Sequence, residues 1–463
     1  MRVALIRNHD ECVNTRQIKM MQKRAGVLPH LGLAYIETAL RKAGFEVVTI
    51  DAQALVLDRE GLVERVNAFG PDLVGVTTTT PGVPGAVEAC QVAKEAGATV
   101  ILGGPHTEVF DRENFCQDFI DYVGVGEGVT TMLGLAEALR DGSDVSTVPG
   151  LVARTFRNPP APMLNLESMG WPSRDSMDVN LYHSIMAKHP FATMISSRGC
   201  PFQCAFCFKQ AVDKKSMYRS AEDVVGEMSS LVHDYGVREI MFYDDVFTMK
   251  KKRVYEICSL IVERGLKVRW EAPTRVDLVD PDMLRAMARA GCVRLRFGIE
   301  SGDVDILRRM RKKTDLEQIT AAVAAAKAAG IQTFAYFIVG WLGETELQYR
   351  QTLEFAKSLK LDYASFYTAT PLPGTQLHRE AIASGKIDEN YWLDYIKGAR
   401  TDRIGVLAPN AEEKSRYAYK DFYLRPSKAP ILLRHLVNPE TFSSVVTGLS
   451  SLIASRTNAV RDF

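Results

Sequence analysis

The 463-residue chain lacks a surplus of charge: 57 Lys and Arg against 56 Asp and Glu leave a formal net charge of +1. That balance argues against a general polyanion-binding field, and no nucleic-acid partner is expected. Long apolar runs are also missing. The most apolar stretch, Phe334–Gly343, is about half of the roughly 20 residues that a membrane-spanning helix needs. The start, MRVALIRNHDE, has neither an apolar core nor a cleavage site, so a cytoplasmic location with reduced thiols is expected. There is no internal repeat and no low-complexity tract. Apolar residues make up 46% and charged residues 24%, as in ordinary globular proteins, and the length exceeds a single domain.

What is present is alternation. In residues 1–145, short β-branched runs (Val3–Ile6, Phe45–Ile50, Asp72–Thr77, Thr99–Leu102, Ile120–Val125) take turns with helical patterns at 33–43, 59–69, 84–96 and 129–140. This predicts a doubly wound, Rossmann-like parallel sheet whose ligand lies at the strands' carboxyl ends. Residues 146–190 hold six prolines and no periodicity, and read as a linker. From 191 to 372 the alternation resumes with six strands (Ala192–Ser197, Val237–Tyr243, Val268–Ala272, Val293–Ile299, Gln332–Val339, Tyr363–Thr368), which suits a partial (β/α)6 barrel. Residues 373–463 form a mixed, mostly helical C-terminal extension ending in an amphipathic pattern at Phe442–Ala459.

Eight cysteines divide unevenly. Cys12, Cys90, Cys116, Cys258 and Cys292 are scattered singly and read as small buried or part-buried residues. Cys200, Cys204 and Cys207 fall within eight residues, in the loop after the first strand of the second half, where such folds carry function. Three thiolates this close suit a soft metal. Structural zinc wants four ligands, yet no second Cys pair follows, and His189 and His233 are at no ligand spacing. On a cubane, three thiolates leave one iron open.

The C-x3-C-x2-C spacing closely resembles that of the radical S-adenosylmethionine (SAM) superfamily. The resemblance implies a [4Fe-4S] cluster on these cysteines, chelation of SAM by the open iron, and reductive cleavage to a 5′-deoxyadenosyl radical. It implies SAM contacts from Phe206 beside the adenine, from Tyr243, Asp244 and Asp245 after the second barrel strand, and from Glu300 and Ser301 in Phe297-Gly-Ile-Glu-Ser-Gly302. The segment with Gly340 and Glu344 resembles one lying along the adenine, with Trp341 where close relatives usually carry Pro. An Asp-Asp after a strand is also a common helix cap. Glu271 and Arg275 face substrate or form a structural ion pair. The basic runs at 250–253 and 308–313 read as solvated faces.

The first half resembles the cobalamin-binding domain of B12-binding radical SAM enzymes. Pro29–Ala34 is similar to the segment opening that group's first helix. The resemblance implies cobalamin contacts from Thr77, Thr78, Thr79 and Thr80, from Gly103, Gly104 and His106, and from Gly126, Glu127 and Gly128. The Asp-x-His-x-x-Gly motif that ligates cobalt in classical B12 enzymes is absent; Asn8-His9-Asp10 does not reproduce it. Tyr423-Leu-Arg-Pro426 resembles a tail segment of the group that includes anaerobic magnesium-protoporphyrin monomethyl ester cyclase. The implied activity is cobalamin-dependent C-methylation of a small biosynthetic intermediate, with an electron donor such as flavodoxin or ferredoxin. The alternative is a non-methylating radical dehydration, rearrangement or ring formation, with the first domain as a substrate lid. Tyr336, Tyr363, Tyr367 and Arg296 suit a medium-sized polar or lipid substrate, or barrel packing.

Overall fold

A computed structural model of the chain describes residues 1–9, 26–184, 186–209, 216–400, 407–408, 410–430 and 433. Cys12, Asp10 and the Phe442–Ala459 pattern lie outside the described residues. Two six-stranded sheets organise the rest. The first contains β1 (Arg2–Arg7), β2 (Glu46–Asp51), β3 (Leu73–Thr77), β4 (Thr99–Gly103), β5 (Tyr122–Gly124) and β6 (Leu151–Val152), in the order β2-β1-β3-β4-β5-β6. β1 to β5 are parallel, and β6 pairs antiparallel with β5. Parallel neighbours need crossovers, which helices Leu31–Lys42, Arg59–Phe69 and Val83–Glu95 provide.

The apolar strands are explained by burial on both faces. Val3 and Leu5 of β1 join one core cluster with Leu73 and Ile101, while Ala4 and Ile6 join another with Val74, Val76, Val100 and Leu102. Residues 146–190 are more ordered than their prolines suggest. β6 lies there, and Gly126 bridges to Ala161, so the first sheet extends past residue 145.

The second sheet is parallel throughout, in the order β7-β10-β11-β12-β13-β14: β7 (Phe191–Met194), β10 (Glu239–Phe242), β11 (Arg269–Thr274), β12 (Cys292–Glu300), β13 (Gln332–Val339) and β14 (Tyr363–Thr368). β7 and β14 are its two edges, as in an open (β/α)6 barrel. Period-2 alternation assigns the faces. Leu295, Phe297 and Ile299 of β12, with Ala335, Phe337 and Val339 of β13, pack in the core cluster toward the helices. Their alternates Arg294, Arg296, Gly298, Glu300, Phe334 and Tyr336 are left for the interior. Between β7 and β10, the short strands β8 (Ser197–Arg198) and β9 (Met217–Tyr218) pair antiparallel. They tie together both ends of the segment that carries the three cysteines.

Candidate functional site

Cys200 and Cys204 are half-buried and Cys207 is exposed, and none is in a disulfide. Their loop is held by backbone. Ala205 N–H donates to the Met310 carbonyl (2.9 Å), Leu377 N–H to the Ala205 carbonyl (2.9 Å), and Lys209 Nζ to the Cys200 carbonyl (2.6 Å). Desolvation raises the Cys204 thiol, opposed by the charges of Lys312 and Arg275. Among the described residues, no three His, Cys, Asp or Glu side chains converge on a single metal ion. A polynuclear cluster asks for something different, each thiolate on its own iron. Among the described residues, these three thiols, with no fourth grouped beside them and with Lys312, Arg275 and Lys209 nearby, fit a cubane with one iron free of protein.

The two aspartates after β10 divide their work. Asp244 is buried. It accepts from Ser196 N–H (2.7 Å) and from the Ser196 and Ser197 hydroxyls (2.5 Å each). Its carboxylate braces the end of β7 from inside the fold. Asp245 accepts from Gly199 N–H at 2.7 Å, fixing the residue before Cys200. The neighbouring Tyr243 is 50% exposed.

Glu300 is buried with φ +75°, rare for a non-glycine residue. Lys312 Nζ pairs with its Oε1 at 2.9 Å. A Cβ at Gly298 would stand 2.5 Å from that oxygen and 2.8 Å from the ammonium, so a larger residue there would have to displace the Glu300–Lys312 pair. Lys312, expected on a solvated face, is instead 6% exposed: Arg275 donates to its carbonyl and lies 3.7 Å over the Phe202 ring. Ser301 is fully buried. Its hydroxyl is shared with Thr352 (3.0 Å) and receives Asp303 N–H (3.1 Å), so it braces the loop rather than facing a ligand. Phe206 meets the fully buried Trp341 edge-to-face at 6.3 Å. Gly340 is also buried, and its N–H donates to Glu344 Oε2 at 2.7 Å.

In the first sheet, a cleft at the carboxyl ends is lined by Leu33, Thr77, Gly103, Gly104, Gly126 and Gly128, among others. At Gly103 an added Cβ would meet nothing within 4 Å, so it borders open space. Gly104 differs. With φ +101°, its Cβ would come within 2.5 Å of the Thr78 carbonyl, so glycine there lets two loops close on each other. Thr78 and Thr80 are buried and Thr79 is exposed. His106 is 0% exposed, with Nδ1 on Thr80 (3.1 Å) and Nε2 on Asn114 (3.2 Å). Burial lowers its pKa to about 4; it shapes the loop from inside instead of touching a ligand. His30 caps the helix Leu31–Lys42, its Nδ1 accepting from Leu33 N–H at 3.2 Å.

The resemblance implies a cobalamin contact from Glu127. In the structure it caps the helix Gly128–Asp141 and pairs with Arg198 at 2.7 Å. Arg198 is two residues before Cys200, so the ion pair ties the glycine-lined cleft to the cysteine loop.

Two family models match the chain: the radical SAM superfamily over residues 194–356 and the B12 binding domain over residues 19–136. The chain is 35% identical over 418 residues to an uncharacterized methyltransferase of Pyrococcus horikoshii, covering 86% of this chain and 88% of that relative. It is 30% identical over 373 residues to the anaerobic magnesium-protoporphyrin IX monomethyl ester cyclase of Rubrivivax gelatinosus, covering 77% and 67%. Its fold resembles the solved radical SAM methyltransferase TsrM from Kitasatospora setae with cobalamin and a [4Fe-4S] cluster bound. The TM-score is 0.70 at 19% identity, over 92% of this chain and 89% of that one.

Proposed function

The chain belongs to the radical SAM superfamily, in the group with an N-terminal B12-binding domain, and from that premise we propose that it is a cobalamin-dependent methyltransferase acting on carbon of a small biosynthetic intermediate. The observation that carries this is the Glu127–Arg198 pair at 2.7 Å, because methyl transfer requires the corrinoid cleft and the cysteine loop to address one space. When bound, the cluster and SAM supply a 5′-deoxyadenosyl radical that removes hydrogen from substrate, and the corrinoid supplies the methyl group.

The chain's own residues hold and orient. Cys200, Cys204 and Cys207 would hold the cluster, while Asp245 fixes their loop through Gly199. Glu300, poised by Lys312, offers a carboxylate to the SAM hydroxyls or ammonium. Phe206, backed by Trp341, offers an aromatic edge to the adenine. Gly103 and Thr77, the last residue of β3, border the cleft that would take the corrinoid; His106 and His30 are both engaged in the fold. The electron arrives from a one-electron donor such as flavodoxin or ferredoxin.

Anaerobic reconstitution tests the reading. A corrinoid absorption band, 5′-deoxyadenosine formation, and label from methyl-labelled SAM appearing on the corrinoid are the expected results. SAM cleavage with no corrinoid uptake would move the assignment to the non-methylating dehydration, rearrangement or ring-forming reaction.

A further inference from the structure

Deeper in the barrel than Gly298 and Glu300, the inward-facing side chains form two tiers. The lower tier is closed: Glu239, Glu271 and Arg294 are each at most 2% exposed. Arg294 pairs directly with Glu271, lies 3.6 Å from Glu239, and stands over the Tyr363 ring at 5.6 Å. Arg269 takes the other Glu239 oxygen at 2.9 Å.

The upper tier is open. Arg296 donates to the Phe242 carbonyl at 2.6 Å, and the Tyr336 hydroxyl lies against it. Its Nε makes no hydrogen bond; the nearest carboxylate oxygen, on Glu271, is 3.6 Å away, beyond hydrogen-bond reach. Tyr243 at the end of β10 and Tyr367 near the end of β14 are 50% and 55% exposed and close enough to interact electrostatically.

Arg269 is 39% exposed and shares its charge with solvent, which leaves Arg294 and Arg296 as the sheltered guanidiniums. Glu271 is engaged more closely by Arg294 than by Arg296, whose Nε faces a Glu271 oxygen that also lacks a hydrogen bond. A half-paired guanidinium with a side chain only 12% exposed is costly unless something completes it. Its planar donors suit a carboxylate or phosphate, and tyrosine faces suit a flat or apolar body.

We infer that Arg296 is the anion anchor of the substrate pocket, and that the substrate is a flat or largely apolar body carrying a carboxylate or phosphate, its anion deeper in the barrel than Glu300 and its body between Tyr243 and Tyr367. This rests on the reading above that the barrel mouth is the reaction site, and it adds the substrate class.

The test uses the reconstituted full-length enzyme with SAM bound, titrated by equilibrium dialysis with 2-naphthoate, 2-naphthyl phosphate and the neutral 2-naphthamide. At least one anion should bind about ten-fold tighter than the amide, the worth of a charge-assisted hydrogen bond. Which anion binds tighter identifies the acid group. Arg296→Gln should bring that anion to the amide's level, Arg296→Lys should keep part of the preference, and Tyr367→Leu should weaken all three probes alike. The lysine variant, which retains a donor toward Phe242, decides the matter if the glutamine variant fails to fold by circular dichroism. Equal binding of acids and amide, or an anion preference that survives loss of the guanidinium, overturns the inference. So does a loss of SAM affinity in Arg296→Gln equal to its loss of naphthoate affinity, which would put the guanidinium in the SAM site. These outcomes concern ligand preference and stand apart from corrinoid uptake, on which the methyltransferase assignment depends.

Discussion

A thiol in this chain meets one of two settings. Cys90, Cys258 and Cys292 are buried, at 0%, 3% and 5% exposure, and burial pushes the Cys258 thiol up to about 12; such groups serve as small apolar residues. Cys116 departs from that expectation by being exposed. Cys204 stands among Lys312, Arg275 and Cys200, where a thiolate has charge to meet. Cys204→Ala is therefore expected to abolish reductive 5′-deoxyadenosine formation, whereas Cys258→Ala should cost about 1 kcal/mol and retain it. Measurable 5′-deoxyadenosine from the Cys204 variant under reductant would break the cluster assignment. Glu344 carries a second prediction. Burial lifts its carboxyl from the ordinary 4.5 to about 7, and its Oε1 has no partner. Between those values the folded chain keeps a proton that the unfolded chain releases, so stability falls as pH rises through the window. The loss is on the order of 2 kcal/mol after discounting for partial exposure. Glu344→Gln should flatten the decline in thermal melts between about pH 5 and 8; parallel slopes for the two proteins would assign the pH dependence elsewhere.

At the scale of elements, the strands were the most legible part, because two-sided burial in one sheet and strict alternation in the other leave direct marks on sequence. Leu295, Phe297 and Ile299 alternate with Arg294, Arg296 and Gly298, and the structure sends the two sets to opposite faces. The cysteine spacing was equally plain, since it is local. What sequence did not reveal were partners far apart in the chain. Asp244 spends its carboxylate on Ser196 and Ser197, Ser301 shares its hydroxyl with Thr352, and Lys312 leaves a basic run to meet Glu300. β6 was hidden among prolines because a two-residue strand has no period to read. The glycine loops show the same limit, since Gly103-Gly104 reads as one feature while the structure separates the two. Gly103→Val should protrude into the open cleft and lower corrinoid uptake while leaving the protein's melting temperature within a few degrees. Gly104→Val should instead push its loop away from the Thr77–Thr78 segment, costing on the order of 2 kcal/mol or more from clash and left-handed backbone. Reversed behaviour of the two variants in corrinoid titration and thermal melts would mean the cleft is approached from another side.

Across the whole molecule, the two halves are joined at their working ends. Tyr395, in the helix Tyr391–Ile396, donates to the Pro81 carbonyl at 2.9 Å. Gly374 is closed against Phe208 and Val109, leaving a Cβ there 2.9 Å from the Phe208 ring. The charged link is Glu127–Arg198, with side chains 6% and 24% exposed. A pair this sheltered acts differently from a surface ion pair, because removing one charge leaves the other poorly solvated. Glu127→Gln keeps an oxygen to cap the helix Gly128–Asp141 while deleting the charge. It should therefore destabilise by on the order of 2 kcal/mol. In a double-mutant cycle with Arg198→Gln, the pair should show coupling of about 1 kcal/mol or more. Because Arg198 leads through Gly199 into Cys200, the same variant should speed amide hydrogen exchange in the segment 199–209, while the strands of both sheets exchange as before. If the cycle gave no coupling and exchange in that segment were unchanged, the corrinoid cleft and the cysteine loop would be held in register by other contacts, such as those of Tyr395 and Gly374, and methyl transfer would not depend on this charged link.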